Sequence, residues 1–174
     1  MTKAKPLPPL SLLNELFAYD KETGLINWKI SVGKRIKAGA IAGTVSHKGY
    51  IRIGLTIDGK YSNFAAHRIA WYIATETDPG DLQIDHIDGN RLNNSFANLR
   101  LASHAQNNWN RLLSPNSHSG FKGVSWHKRD KKWKASIAIH RRNIYLGTFD
   151  TPELAHMAYC KAAAELFGEF ARGS

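Results

Sequence analysis

The stretch from Gln83 to Asn110 constrains this chain more than any other; it reads Q-I-D-H-I-D-G-N-R-L-N-N-S-F-A-N-L-R-L-A-S-H-A-Q-N-N-W-N. It opens with an acid beside an imidazole, Asp85-His86, and continues at once into Asp88-Gly89. An Asp-Gly pair suits a tight turn, because glycine takes a positive φ without steric cost. Asn98-Leu99-Arg100-Leu101 predicts a short return strand. Ser103 with Gln106 three residues on forms a capping box, so a helix should start there with Asn107 in its first turn. The local plan is strand, loop, strand, helix, with polar groups from three pieces able to converge. In a regular strand Asp85 and His86 would point to opposite faces. Serving one site therefore requires the backbone to turn at the pair.

This plan resembles the ββα-metal motif of HNH nucleases, in the variant whose last histidine is an asparagine. Asp85-His86, Asn98 and Asn107 stand at the matching positions, and D-H-x-D-G-N-x-x-N-N and N-L-R fit around them. The resemblance implies that His86 is the general base, that Asn98 orients its ring, and that Asp85 and Asn107 hold one divalent cation.

Phosphodiester hydrolysis needs residues of these types. A water must be deprotonated, and a histidine that titrates near neutrality can take its proton as the free base. A cation held by one carboxylate and one amide oxygen keeps most of its positions open for phosphate oxygens and water. Two hard oxygen donors favour Mg²⁺ or Mn²⁺, where a histidine in place of Asn107 would also suit zinc or nickel.

Charge narrows the partners. The chain has 174 residues, a net charge of +10 and a sequence pI near 9.8, which points to a polyanion. No apolar run of eighteen residues and no basic amphipathic helix speaks for a membrane. The N-terminus lacks a signal-peptide core, so an intracellular location is expected, in a bacterial cytoplasm if the phage resemblance below holds. One cysteine, Cys160, excludes an internal disulfide and a thiolate-rich zinc site.

Before the motif, Leu10–Tyr19 has apolar residues at helical spacing and Leu25–Ile30 reads as a strand. Residues 31–43 carry Lys34, Arg35 and Lys37 in a glycine-rich loop, which is either solvated or in contact with phosphate. Residues 50–57 alternate with Ile51, Ile53, Leu55 and Ile57 on one face, and Asp58-Gly59 turns the chain into residues 60–64. A helix over 65–75 follows, and on it His67 reads as a satisfied core-edge histidine in preference to a phosphate contact. The hairpin and the His67-Arg68 pair are also similar to the N-terminal part of phage HNH homing endonucleases.

Residues 113–120, L-S-P-N-S-H-S-G, mark a linker. Beyond it three short strands are predicted, over 122–127, 133–140 and 143–148. A helix follows, capped by Thr151 with Pro152 at its first position. Its predicted buried stripe is Ala155, Ala158, Tyr159, Ala162 and Leu166. In the middle strand Trp133, Ala135, Ile137 and Ile139 should face that helix, and Lys134, Ser136, Ala138 and His140 should face away. Between Lys122 and Arg142 lie eight Lys/Arg (Lys122, Lys128, Arg129, Lys131, Lys132, Lys134, Arg141 and Arg142) against one acid, Asp130. A sheet this basic, with aromatic residues among the cations, suits a DNA groove.

The segment is similar to the AP2/ERF DNA-binding domain through G-V-S-W at 123–126, K-W-K-A-S-I at 132–137, Y-L-G-T-F-D-T at 145–151 and A-x-x-A-Y-x-x-A-A at 155–163. The resemblance implies that the sheet lies in the major groove, with Lys122, His127, Arg142 and Tyr145 at contact positions. Lys128, Arg129, Lys132, Lys134 and Arg141 complete the expected DNA-binding set. Ser125 and Ala138 stand where the plant domains usually have arginines, so their base preference does not carry over.

The expected fold is α+β. An N-terminal β-rich extension and a ββα-metal core at 83–112 make a first domain over 1–112, and a linker at 113–120 follows. A three-stranded antiparallel sheet packed on one helix occupies 121–174. The expected function is metal-dependent endonuclease action of the HNH homing type on double-stranded DNA. Neither a membrane nor an obligate protein partner is inferred. The alternatives are a DNA-binding regulator with an inactive core and an RNA-binding accessory protein. Intact Asp85, His86, Asn98 and Asn107 speak against the first of these, and basic charge alone supports the second.

Overall fold

A computed structural model describes residues 5–114, 117–139 and 142–172. The chain divides into two compact units, residues 1–103 and 104–174. The break falls before the 113–120 segment. The helix carrying Asn107 therefore groups with the C-terminal unit.

The first unit starts with helix α1 (Leu10–Leu16), and strand β1 (Phe17–Tyr19) pairs antiparallel with β2 (Ile26–Trp28). The helix predicted over 10–19 thus stops early. Phe17 is already extended (φ −127°, ψ 144°) and opposes Trp28, their rings 4.6 Å apart. Burying that aromatic pair in a strand outweighs three more residues of marginal helix.

Strands β3 (Thr44–Val45), β4 (Ile51–Ile57) and β5 (Lys60–Ala65) form an antiparallel sheet in the order β3-β4-β5. Asp58 and Gly59 both have positive φ (49° and 73°), the type I′ geometry that matches strand twist in a two-residue hairpin. Helix α2 (Ala66–Thr75) then packs on this sheet and on α1. Leu13, Phe17, Ile53 and Ile69 are at the fully buried centre of the unit.

From α2 the chain is led back by Arg68, which donates to the carbonyls of Leu82 (2.8 Å) and Gly80 (2.7 Å). Strand β6 (Gln83–His86) and strand β7 (Leu99–Ala102) pair antiparallel, preceded on the return side by a 3₁₀ turn at Phe96–Asn98.

The second unit begins with α3 (His104–Trp109), so Ser103 does stand at the cap position. Strands β8 (Val124–His127), β9 (Lys132–Ile139) and β10 (Arg142–Phe149) form an antiparallel sheet with β9 in the middle, backed by α4 (Pro152–Phe167). Thr151 caps α4 by accepting from Leu154 N–H, with Pro152 in its first turn. Ala135 and Ile137 are buried on the helix side as expected. The buried stripe of α4 is Ala155, Tyr159, Ala163 and Phe167. Ala158 and Ala162 lie at its edge, and Leu166 is exposed. Strict four-residue steps keep the stripe over β9 and carry Phe167, not Leu166, onto Trp109, their rings stacked at 4.3 Å. His140 and Arg141 lie outside the described residues. Among the described residues no helix is long and apolar enough to cross a membrane.

Candidate active site and nucleic-acid interface

The β6–β7 ladder sets Asp85 opposite Arg100 and His86 opposite Leu99. The strand ends at His86 in a turn closed by Gly89 N–H donating to His86 C=O at 2.9 Å. Both side chains are buried, and the Asp85 carboxylate is near enough to act on the His86 ring. Asp85 Oδ2 accepts from Arg100 Nε and Nη2, each at 2.9 Å. This pair of charge-assisted hydrogen bonds fixes the buried carboxylate. Arg100 was not singled out in the sequence, although the ladder register alone places it there.

His86 Nε2 lies 2.9 Å from Asn94 Oδ1. An amide oxygen only accepts, so Nε2 is the protonated nitrogen and Nδ1 the basic one in the neutral ring. Burial lowers the His86 pKa below its ordinary 6.5, and Arg91 adds to this, against opposing contributions from Asn94, Asp88 and Asp85. The imidazole is accordingly neutral at pH 7, the state a general base requires.

Asn98 makes its side-chain hydrogen bonds within the loop that follows His86. Its Oδ1 accepts from Asp88 N–H (2.9 Å), and its Nδ2 donates to Asp88 Oδ1 (2.9 Å) and Asn93 C=O (2.8 Å). It thus closes the 88–94 loop, and Asn94 at the end of that loop holds the His86 ring. Asp88 also accepts from Asn93 Nδ2 (2.8 Å) and Asn90 N–H (2.7 Å). Burial pushes the Asp88 carboxyl up, but these hydrogen bonds outweigh it and hold the pKa below the ordinary value.

The N-terminal hairpin braces the same loop. Tyr19 Oη donates to Asn94 C=O at 2.8 Å, and Phe96 N–H donates to Lys21 C=O at 2.8 Å. Gly24 (φ +75°) presses so closely that a Cβ there would meet the Asn94 carbonyl carbon at 2.3 Å. Asn94 was not picked from the sequence. Its signal was its place in the asparagine-rich loop next to the Asp-His pair.

His67 lies beside the site, its ring edge-on to those of His86 (5.2 Å) and Tyr50 (5.3 Å). Burial, followed by the charges of His86, Arg68 and Arg52, lowers its pKa to about 3. It is a core-edge histidine that also walls the candidate base. Asn107 lies in α3 of the second unit. Among the described residues no group of three or more His, Cys, Asp or Glu is arranged to hold a metal. The carboxylate of Asp85 and the side-chain amide of Asn107 each carry a hard oxygen, the donor type that suits Mg²⁺ or Mn²⁺.

In the second unit, β-pairing decides which cations share the outer face of the sheet. Ser125 opposes Lys134, His127 opposes Lys132, and Tyr145 opposes Ser136, all away from α4. A register shift after Tyr145 brings Thr148 to that face as well, 3.4 Å from Tyr145 Oη, and Lys134 Nζ lies 6.0 Å over the Tyr145 ring. Lys128 and Arg129 occupy the β8–β9 turn. Arg129 and Lys132 are paired with Asp130 (3.0 Å) and Asp150 (3.1 Å). His127 Nδ1 sits 3.1 Å from Asp130 Oδ2.

Two expected contact residues are placed differently. Arg142 opposes Ile139, so its register position belongs to the helix side. Lys122 Nζ donates to the carbonyls of Trp109 (2.5 Å) and Arg111 (3.0 Å), satisfying the end of α3. Burial, followed by the charges of Arg172 and Arg111, lowers its pKa to about 8. Arg141 lies outside the described residues.

An HNH endonuclease family model matches residues 64–109, and an AP2 domain model matches residues 119–169. Protein 3.8 of Escherichia phage T7 is 36% identical over 106 residues, covering 61% of this chain and 87% of that protein. An uncharacterized HNH endonuclease, L560 of Acanthamoeba polyphaga mimivirus, is 34% identical over 127 residues, covering 72% of this chain and 65% of that protein. The solved HNH homing endonuclease I-HmuI aligns with 87% of this chain and 84% of its own at 22% identity and a TM-score of 0.42.

Proposed function

We propose, from the premise that the chain belongs to the HNH endonuclease family, that it hydrolyses phosphodiester bonds in double-stranded DNA as a homing-type nuclease. The observation that carries the reading is His86, a buried imidazole kept neutral beside Asp85 and clamped by Asn94. His86 takes the proton of the attacking water through its basic nitrogen. The water oxygen bonds to phosphorus as the bond to the 3′ oxygen breaks. HNH nucleases generally use a divalent cation, and here Asp85 and Asn107 would hold it, with Arg100 orienting Asp85. When bound, the cation stabilises charge on the phosphate and on the leaving oxygen. Asn98 and Asp88 keep the intervening loop in shape, so Asn98 is a positioning residue.

The nuclease function is assigned to residues 1–112 and target recognition to the AP2-like part. Lys134, Tyr145, His127 and Lys132 on the outer face, with Lys128 and Arg129 at its turn, are the proposed groove contacts. One such site handles one phosphodiester at a time, so a monomer nicks. The setting that fits is the cytoplasm of a bacterial host. Nicking of supercoiled plasmid by the full chain with Mg²⁺ or Mn²⁺ tests the reading, with His86→Ala as the inactive partner. Equal cutting by both proteins would refute it.

A further inference from the structure

The 88–94 loop carries one more charged group, Arg91, whose surroundings differ from those of an ordinary surface arginine. Its guanidinium lies 4.9 Å over the Tyr50 ring, and its Nη1 donates to Lys48 C=O at 2.9 Å. Among the described residues no carboxylate pairs with it. The stem passes 3.9 Å from where a Cβ on Gly49 would be. That glycine has φ +76° in a tight turn closed by Gly49 N–H to Ser46 C=O (2.8 Å) and Ser46 N–H to Tyr50 C=O (2.8 Å). The platform is itself built into the site. Tyr50 packs edge-on against His67 at 5.3 Å and lies 6.1 Å from His86.

An arginine held by a neutral carbonyl and an aromatic face has no anion bound to it and keeps most of its N–H donors. Its planar fork matches phosphate oxygens, and stacking on tyrosine preorganises that fork at low entropic cost. The position is also fixed with respect to the base. Asn94, three residues along the same loop, holds His86, and the charge of Arg91 is felt at that ring.

We propose that Arg91 binds the phosphate undergoing cleavage, a catalytic residue, and that Tyr50 is the positioning residue that aims it. The inference rests on the nuclease reading. A cation aimed at the phosphate from the side of the base stabilises negative charge that grows as water adds. Lysine would not replace it fully, because an ammonium neither stacks flat nor presents two parallel donors.

The test measures single-turnover cleavage of a DNA duplex at saturating enzyme, together with gel-shift affinity and melting temperature. It compares wild type, His86→Ala, Arg91→Ala, Arg91→Lys, Arg91→Gln, Tyr50→Ala and Tyr50→Phe. Arg91→Ala should slow the cleavage step by on the order of 100-fold, with a much smaller change in affinity. Arg91→Lys should fall in between, and Tyr50→Phe should cut faster than Tyr50→Ala because the ring alone provides the platform. Should Arg91→Ala melt early, Arg91→Gln, which keeps a donor for Lys48 C=O, carries the comparison. Full-rate cleavage by Arg91→Ala, or a loss confined to affinity, overturns the inference and leaves the nuclease reading standing as long as His86→Ala is inactive. A wild type that cuts nothing overturns both.

Discussion

His67 and His86 pack edge to face, with ring centroids 5.2 Å apart and planes 87° apart. Two imidazoles this close share one consequence of burial: protonating either costs more than in water, and the charged form of one opposes that of the other. In the folded chain His67 titrates near pH 3, against an ordinary value of 6.5. Between those values the unfolded chain binds the proton and the folded chain does not. Stability is therefore intact above about pH 6.5 and is lost as pH falls towards 3, by up to about 1.4 kcal/mol per pH unit for this one group. The lowered pKa of His86 acts in the same direction. His67→Gln, which carries no proton at any pH, should flatten the dependence of denaturation midpoint on pH between 7 and 5. An unchanged slope would mean that the ring is solvated in the folded state.

Cleavage and affinity should separate at the base and at the cation ligand. His86→Ala and Asp85→Asn are expected to abolish nicking of supercoiled plasmid while gel-shift affinity stays close to wild type, because the proposed groove contacts of the C-terminal sheet are left intact. Asparagine is preferred to alanine at Asp85. It keeps an acceptor for Arg100, whose side chain is only 13% exposed. Cutting at full rate by either variant would remove its residue from the mechanism.

Asn94 and Asn98 should behave differently. Asn94→Ala deletes the direct partner of the His86 ring and should slow cleavage by roughly tenfold or more. Asn98→Ala leaves Asp88 N–H and Asn93 C=O short of a partner in a half-buried loop and should cost about 1–3 kcal/mol of stability. Chemical denaturation alongside the nicking rate distinguishes the two. A kinetic defect at Asn98 without loss of stability would favour the direct role expected from the motif.

Dialysis against a chelator should silence the protein, and Mg²⁺ or Mn²⁺ should restore it. The proposed donors, one carboxylate and one amide oxygen, would bind such ions loosely and leave room for phosphate. Metal analysis after purification should find no stoichiometric zinc; one tightly held zinc per chain would contradict the donor assignment.

On the C-terminal sheet, Lys134 and Lys122 should part company. Lys134→Ala removes an outward cation and should weaken binding, lowering the slope of log K against log salt by roughly 0.9 for one lost phosphate contact. Lys122→Ala should leave that slope alone and lower the melting temperature, because Lys122 satisfies the carbonyls of Trp109 and Arg111. A salt series on duplex DNA with thermal melts of both variants decides the matter. A reduced slope for Lys122→Ala would place that lysine on DNA after all.

Much of this molecule is written in local chemistry. Alternation over residues 51–57, the Asp58-Gly59 turn and the Thr151-Pro152 helix start each depend on residues within a few positions of one another, and all form as expected. The same holds for the Asp85-His86 strand and its return through Leu99, whose register follows from a loop of fixed length. Where the local pattern and the fold differ, a distant residue intervenes. Phe17 leaves its helix to meet Trp28, and α4 turns Phe167 inward to cover Trp109. Lys122 points inward because the end of α3, thirteen residues back, leaves carbonyls unsatisfied. His86 is held by Asn94 only because Asn98, Tyr19 and Gly24 press the loop between them into one shape. The sequence by itself determined which chemistry the chain carries, since acid, imidazole and amides are properties of residue types. Which amide holds His86, and which cations face outward, only the tertiary structure decided. Hydrogen bonds and burial are satisfied by whatever the fold brings near, and nearness along the chain does not predict it.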